Sequence, residues 1–366
     1  MADVAVLHNT LDFQGGADTV CLAVCDALAD DHDVTLFTVS ETALEALSDR
    51  FDTPLPDVDV RMPTGANRTA RALSWLAPWV GPQLAFRSVL LRRFFLPVAD
   101  EFDLAVSTAN EVAVPIPSVQ YVHYPQFKIR RAADADAGRL NALWSRVAAP
   151  DVSGGTDTAT YLANSGWTAD VFEAIYGTRP TVLHPPVDPI SCDTTWEDRE
   201  TGIVVVGRIA PDKRLEEAIA IVDGVRDRGH DVHLHIVGSA PRAYRRYADR
   251  IAAAAEERPY VHLETDVPRR RVIELLCGYR YGLNVKADEH FGMAVAEYVA
   301  AGMVPFAPAS GGQREILRGR ADRSFDSVPE AIDLVSGAID RDDRPRLQRD
   351  RFATDGFQEA FRQHVR

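Results

Sequence analysis

Two glutamates, Glu289 and Glu297, stand eight residues apart in the stretch "EHFGMAVAE". The Ala-rich run behind them reads as a helix closed by Gly302, so His290, Phe291, Gly292 and Met293 lie at its mouth. A helix N-terminus offers unpaired backbone N–H groups and a positive dipole end, which together attract an anion. Gly292 lets a ligand approach that backbone closely, and Arg208 and Lys213, just after an earlier predicted strand, add two formal positive charges. This combination predicts a diphosphate held by protein cations, with no cofactor and no obligatory metal. A carboxylate repels phosphate, but as a pure acceptor it suits sugar hydroxyls. With the helix starting near Phe291, Glu297 falls roughly 9 Å along it at about 1.5 Å per residue, the reach from a diphosphate to the ribose of the same nucleotide. Glu289, on the other side of the anion, would then face a sugar carried on that diphosphate.

Other readings of the same residues compete with this one. Two carboxylates flanking one bond are also the requirement of glycoside hydrolysis, although an anion site between them argues against it. "DVD" at Asp57 to Asp59 and "DAD" at Asp134 to Asp136 mimic a metal-binding pair of aspartates, but in a chain with 54 acidic residues such strings arise by chance. Arg208 could equally be a surface cation paired with Asp212.

The elements that must hold these residues come in regular alternation over 366 residues, a length suited to two domains. Near the start, "VAVLHN", the glycine turn "DFQGGAD", "TVCLAVCDALAD" and "HDVTLFTV" read as strand, turn, helix and strand. The turn lacks the GxGxxG spacing of a dinucleotide site. "FDLAVSTA", "SVQYVHYP" and "PTVLHPPVD" continue the strands. After a proline- and acid-rich linker, 185–201, "GIVVVGRI", "DVHLHIVGSA", "YVHLETDV", "YGLNVKA" and "VPFAPAS" alternate with helical segments. Such alternation predicts a doubly wound parallel α/β sheet in each half, an N-terminal domain over 1–185, a C-terminal domain over 186–350 and a last helix in 351–366 crossing back to the first domain. Ligands on these sheets bind at the carboxyl ends of the strands. Arg208, Lys213, Gly238, Ser239 and the 289–292 stretch all fall at such ends, so a two-domain chain would bind in the cleft between its halves.

Composition narrows the partners. A net charge of −14 argues against nucleic acid, whose phosphates need a basic field. Of 40 basic residues only Lys128, Lys213 and Lys286 are lysines, and an acidic, arginine-rich, lysine-poor chain suits a high-salt cytoplasm such as that of a halophilic archaeon. The four cysteines, Cys21, Cys25, Cys192 and Cys277, form no CxxC pair and read as buried reduced thiols. The N-terminus has no basic segment ahead of its apolar run and no stretch of eighteen apolar residues follows, so neither a signal peptide nor a membrane span is expected.

"VVVGRIAPDKRLEEAI", "LHIVGS", "DEHFGMAVAEYVAAGMVPFAPASGGQREIL" and "LANSGWTADVFEAIYGTRPTVLHPPVD" resemble the retaining glycosyltransferases of family four, whose fold is GT-B: two Rossmann-like domains facing across a cleft, with an acceptor-binding N-terminal and a nucleotide-sugar-binding C-terminal domain. "YVHYP" with "EHFGMAVAEYVAAG" is most similar to the α-1,2-mannosyltransferases that extend a dolichol-linked oligosaccharide from GDP-mannose. The resemblance implies Gly15 and Gly16 near the donor phosphates, His123 near the donor sugar, Arg208 and Lys213 on the diphosphate, Glu289 on the hexose and Glu297 on the ribose. It implies a lipid-linked or glycan acceptor. An epimerase or phosphorylase on the same fold, or a non-catalytic glycan-binding scaffold, would share most of these features, though a scaffold has no need of the four charged residues together.

One stretch stands outside those motifs. Residues 61–99 carry Arg61, Arg68, Arg71, Arg87, Arg92 and Arg93 with no acidic residue, interleaved with Trp75, Trp79, Phe86, Phe94 and Phe95. An ordinary helix pair with a core face would read this way. So would a surface that lies in the headgroup layer of an anionic membrane, with Trp75, Trp79, Arg92 and Arg93 as its contacts, which predicts a cytoplasmic protein bound peripherally to the inner membrane face.

Overall fold

A computed structural model describes residues 1–51, 53–66, 68–72, 75, 84–125 and 158–365. Trp79, Lys128 and the "DAD" string lie outside these residues. Two compact units divide the chain, Met1–Pro186 with Thr354–Arg366, and Val187–Ala353.

The first unit is built on β1 (Asp3–His8), β2 (Asp33–Thr38), β3 (Asp59–Arg61), β4 (Leu104–Ser107), β5 (Ser118–Val122), β6 (Ala159–Ala163) and β7 (Thr181–Val182). They form one sheet in the order β3-β2-β1-β4-β5-β6-β7, every pairing parallel. The strands are near-continuous apolar runs because a parallel sheet is covered on both faces. Helix α1 (Gly16–Ala29) follows β1 directly, α2 (Leu44–Phe51) follows β2, and α3 (Leu84–Phe95) precedes β4. Helix α4 (Gly166–Tyr176) is capped by Ser165, whose side chain accepts from the Thr168 N–H, and ends at Gly177 in the left-handed region.

The second unit carries β8 (Glu200–Val206), α5 (Leu215–Asp227), β9 (His233–Gly238), α6 (Arg245–Glu256), β10 (Val261–Thr265), α7 (Arg269–Gly278), β11 (Tyr279–Leu283), α8 (Met293–Ala300), β12 (Val304–Pro308), α9 (Gln313–Ile316), β13 (Ser324–Phe325) and α10 (Val328–Asp340). Its strands pair in parallel in the order β10-β9-β8-β11-β12-β13. The order turns back at β8, so β8 and β11 are neighbours although 72 residues of chain separate Val206 from Tyr279. Their adjacent carboxyl ends are where a doubly wound sheet leaves room for a ligand.

The chain ends with α11 (Thr354–Arg362), which packs on α1 within the first unit. Phe357 and Phe361 enter the core around Val20, Val24 and Leu28, and Gln358 donates to Asp26 at 2.7 Å.

One sequence expectation needs correction here. Cys192 and Cys277 are disulfide-bonded, with Cα atoms 5.3 Å apart, a separation that a disulfide spans without strain on the backbone. Only Cys21 and Cys25 are buried free thiols. The described part of the arginine-rich stretch is mixed: Phe95 is fully buried, and the buried Arg87 guanidinium donates to Thr10, to Asp12 and to the Val39 carbonyl at 2.9 Å. Arg92 is half-buried and donates to the Ala113 carbonyl at 2.7 Å. Arg93 is exposed, and Trp75 is 62% exposed.

Candidate active site

In the second unit Arg208, Lys213 and Glu289, predicted from sequence, meet at the carboxyl ends of β8 and β11. The single-turn helix Pro211–Lys213 after β8 brings Lys213 toward the loop after β11, and its Nζ donates to Glu289 Oε2 at 2.6 Å. Lys286 from that loop reaches Asp212 Oδ2 at 3.2 Å and Glu289 Oε1 at 3.6 Å. Arg208 approaches Asp212 at 3.7 Å. The result is an alternating chain, Arg208–Asp212–Lys286–Glu289–Lys213, of three cations and two carboxylates, with an excess of one positive charge. Burial alone would raise the Glu289 carboxyl, but Lys213, Lys286 and His290 outweigh it and hold Glu289 well below the usual carboxylate range. Asp212 is lowered too: burial opposes its charge, and Lys286, Arg208 and Lys213 favour it.

The loop carrying Glu289 is braced from outside the charges. Buried Gln313 accepts from Asn284 Nδ2 at 2.7 Å and donates to the Lys286 carbonyl at 3.1 Å. The Gly312 N–H donates to the Glu289 carbonyl at 2.8 Å. These bonds fix the backbone, so the carboxylate and ammonium groups are aimed by a rigid frame rather than by one another alone.

Helix α8 starts at Met293, two residues later than the sequence indicates. Gly292 sits at φ 108° before it, a left-handed turn that a side chain would strain. Glu297 is therefore the fifth residue of α8, about 6 Å along it from Met293 at about 1.5 Å per residue, not 9 Å from Phe291. Phe291 is 2% exposed and its ring packs edge-on against Phe352, so its side chain is part of the core. Tyr298, on the buried side of α8, accepts from the Val206 N–H at 2.8 Å and donates to the Leu283 carbonyl at 3.2 Å, pinning the helix to β8 and β11.

Glu297 is paired in a way the sequence did not reveal. Arg269, the first residue of α7, donates to its Oε1 at 2.6 Å, with both side chains mostly buried. Gly238 has a structural reason to be glycine, since a Cβ there would lie 1.8 Å from the Gly207 carbonyl oxygen, and Ser239 accepts from the Ile209 N–H at 2.8 Å through its carbonyl.

The first unit holds the other predicted residues, Gly15, Gly16 and His123, after β1 and β5. Gly15 caps α1 and Gly16 begins it. His123 follows β5, its backbone N–H donating to Asn110 Oδ1 at 2.7 Å and its ring Nε2 lying 3.1 Å from the Thr108 carbonyl. Burial, with His8 nearby, lowers the His123 pKa to about 4, so the ring is neutral. Sequence reasoning missed Asp18 and His8, which stand behind these residues. It gave Asp212 a part only as a surface partner of Arg208, the pairing seen at 3.7 Å, and gave no role to Lys286, although the scarcity of lysine singled Lys286 out.

Residues 190–340 match the family described as glycosyl transferases group 1. Curated relatives that the chain resembles are GDP-Man:Man(3)GlcNAc(2)-PP-Dol alpha-1,2-mannosyltransferases. The Eremothecium gossypii protein is 25% identical over 221 residues, covering 54% of this chain and 38% of its own. The Neurospora crassa protein is 24% identical over 353 residues, covering 80% and 62%. The chain thus spans 38% of the one relative and 62% of the other, less than two thirds of either. Among solved structures, Anabaena HepE in complex with UDP and glucose superposes with a TM-score of 0.70 at 14% identity, over 100% of this chain and 99% of that one. WaaG, a glycosyltransferase involved in lipopolysaccharide biosynthesis, superposes with a TM-score of 0.63 at 15% identity, over 99% and 95%. The two parallel-sheet units are a GT-B fold. Among the described residues no helix is long and apolar enough to cross a membrane.

Proposed function

We propose that this chain is a retaining glycosyltransferase of family four that moves a hexose, with mannose from GDP-mannose the leading candidate, onto a glycan or polyprenyl-linked acceptor. The observation that carries this reading is the alternating charge chain Arg208–Asp212–Lys286–Glu289–Lys213 beside the start of α8. Its cations are aimed by folded backbone before any ligand arrives, and preorganised charge of this kind stabilises a nucleoside diphosphate as negative charge grows on it. In the proposal Arg208 and Lys213 hold the diphosphate, Glu289 accepts from hexose hydroxyls, and Glu297, steadied by Arg269, accepts from the ribose. His290, the Phe291 and Gly292 backbone, Met293, Gly238 and Ser239 line the donor side of the second unit. Gly15, Gly16 and His123 are the first unit's share of the donor contacts. The protein's cations neutralise the leaving group in this scheme without an obligatory metal.

The mannose preference rests on likeness to the α-1,2-mannosyltransferases, and the lipid-linked acceptor on the same likeness. A polyprenyl acceptor would bring the enzyme to the inner face of the cell membrane as a peripheral protein, with Trp75, Trp79, Arg92 and Arg93 proposed as contacts. The test is to supply full-length protein with GDP- and UDP-sugars and a polyprenyl-linked glycan, in both molar and low KCl, with and without EDTA. Transfer from GDP-mannose with the anomeric configuration kept, unaffected by EDTA, is expected. Interconversion of the nucleotide sugars without transfer would establish an epimerase instead, phosphate-dependent cleavage a phosphorylase, and glycan binding without turnover a scaffold.

A further inference from the structure

Four hydrogen bonds link the glycine turn at α1 to His123 through residues that have no part in the reading above. The Gly15 N–H donates to Asp18 Oδ2 at 2.7 Å. Asp18 Oδ1 lies 2.9 Å from His8 Nε2, and His8 Nδ1 lies 2.9 Å from Thr108 Oγ1. The Thr108 carbonyl is 3.1 Å from His123 Nε2. The line crosses from α1 to the ends of β1, β4 and β5, and His8, Asp18 and Thr108 are each at most 2% exposed.

Burying an imidazole and a carboxylate together costs several kcal/mol per charge and is repaid only by close, complete pairing. A core built for stability alone would be apolar here, like Val4, Val6 and Val106 in the same strands. The expense is explained by what the pair holds. A carbonyl can only accept, so the 3.1 Å contact with Thr108 requires the proton of neutral His123 to sit on Nε2 and leaves Nδ1 as an acceptor. Thr108 can enforce that choice only if it does not move: its N–H donates to the Leu7 carbonyl at 3.1 Å, and its side chain is gripped by His8, with Cys21 beside it.

We infer that His8, clamped by Asp18, is a positioning residue that acts through Thr108 to fix the tautomer of His123 and to couple it to the Gly15 turn. His123 Nδ1 is thereby presented as an acceptor for a hydroxyl of the donor hexose. This inference rests on the donor role proposed for His123. The titratable groups around His8 are Asp18, Cys21 and Cys25 from α1 and His123 beyond Thr108. Burial opposes a charge on His8, but Cys21 and Asp18 outweigh it and favour the imidazolium. The positive charge on His8 in turn helps keep His123 neutral.

The test uses full-length protein labelled with ¹⁵N-histidine, with the His123 signals assigned by their loss in His123→Gln. Imidazole nitrogen shifts then report the His123 tautomer directly. In wild type Nε2 is expected to carry the proton at neutral pH. In His8→Gln and Thr108→Val the two tautomers should mix, and in His8→Gln, which removes the positive charge near His123, the His123 titration should also move up. Turnover with the nucleotide sugar should fall about tenfold or more, the effect common for partners that orient a site residue, while Thr108→Ser restores both. Should His8→Gln not fold, Thr108→Val carries the same measurement. A folded variant with an unchanged His123 tautomer and unchanged turnover would make the chain a core network only and overturn the inference. If His123→Gln itself leaves donor binding and turnover intact, the donor contact is what fails, and the link to His8 is judged from the nitrogen shifts alone.

Discussion

Lys213→Ala separates holding from binding at the charge chain. Lys213 and Glu289 meet at 2.6 Å with 18% and 14% of their side chains exposed. At an effective dielectric near 20 their attraction is about 6 kcal/mol, and that of Lys286 with Glu289 at 3.6 Å is about 5 kcal/mol. Desolvation of each ion consumes most of this, and Lys286 still faces Glu289 in the variant. The net loss of stability should therefore be modest, about 1–3 kcal/mol, or a fall in Tm of roughly 2–12 °C at about 2–4 °C per kcal/mol for a domain of this size. Turnover should fall by about a hundredfold or more, because one preorganised charge on the leaving group is gone. Differential scanning fluorimetry and steady-state kinetics measure the two effects, and a cycle with Glu289→Gln measures their coupling, expected at about 1–2 kcal/mol in Tm-derived stability. The carboxyl of Glu289 is lower in the folded than in the unfolded chain, so its stabilisation is complete above the ordinary glutamate range and is lost as pH falls through and below it. The cycle should accordingly lose its coupling in strong acid. Additive effects at neutral pH within about 0.3–0.5 kcal/mol, or a fall in turnover no larger than the fraction unfolded, would refute the reasoning.

Four further outcomes follow from the same structure. Glu297→Ala should raise the Michaelis constant for the nucleotide sugar while Glu289→Ala mainly lowers kcat, because the ribose is unchanged by the reaction and the hexose is not; equal effects on both constants in both variants would dissolve this division. Arg269→Ala should follow Glu297→Ala in kind but be milder, which the same kinetics would show. The Cys192–Cys277 bond closes a separation of 85 residues, and its reduction by dithiothreitol should remove about 4–5 kcal/mol on the loop-entropy estimate; a Tm that does not move on reduction would contradict this. Changing Trp75, Trp79, Arg92 and Arg93 together should release the protein from anionic vesicles and leave nucleotide-sugar binding unchanged, and sedimentation with vesicles equal to that of wild type would end the membrane proposal.

The fold was largely readable because parallel strands and amphipathic helices leave opposite periodicities in the chain. "GIVVVG" and "LEEAIAIVDGVRD" announce β8 and α5 within a few residues of their observed limits. Helix α8 was misplaced because Gly292 reads as permissive without revealing that its backbone turns left-handed there. The rim was readable as a set of strand ends but not as a set of pairs. Lys286 and Asp212 are 74 positions apart and become neighbours only because β8 and β11 are adjacent. Arg269 finds Glu297 through the placement of α7, and His8 finds Asp18 through the turn between β1 and α1; neither pairing has a spacing that periodicity could flag. The disulfide escaped for the same reason, since Cys192 and Cys277 carry no motif and meet only in the folded second unit.

The seat of α11 on α1 sets a timetable for synthesis. The first unit needs Phe357 and Phe361 to fill its interior, yet those residues emerge from the ribosome after all of Val187–Ala353. A nascent chain ending at residue 353 owns every residue of its second unit, while the surface of α1 that Gln358 and Arg362 will cover lies open at the Ala23 and Ala27 carbonyls. Domains generally fold in order of emergence; in this chain the unit that begins first is the one that finishes last, and for the length of one whole domain the nascent protein presents an unsealed apolar face for chaperones to guard.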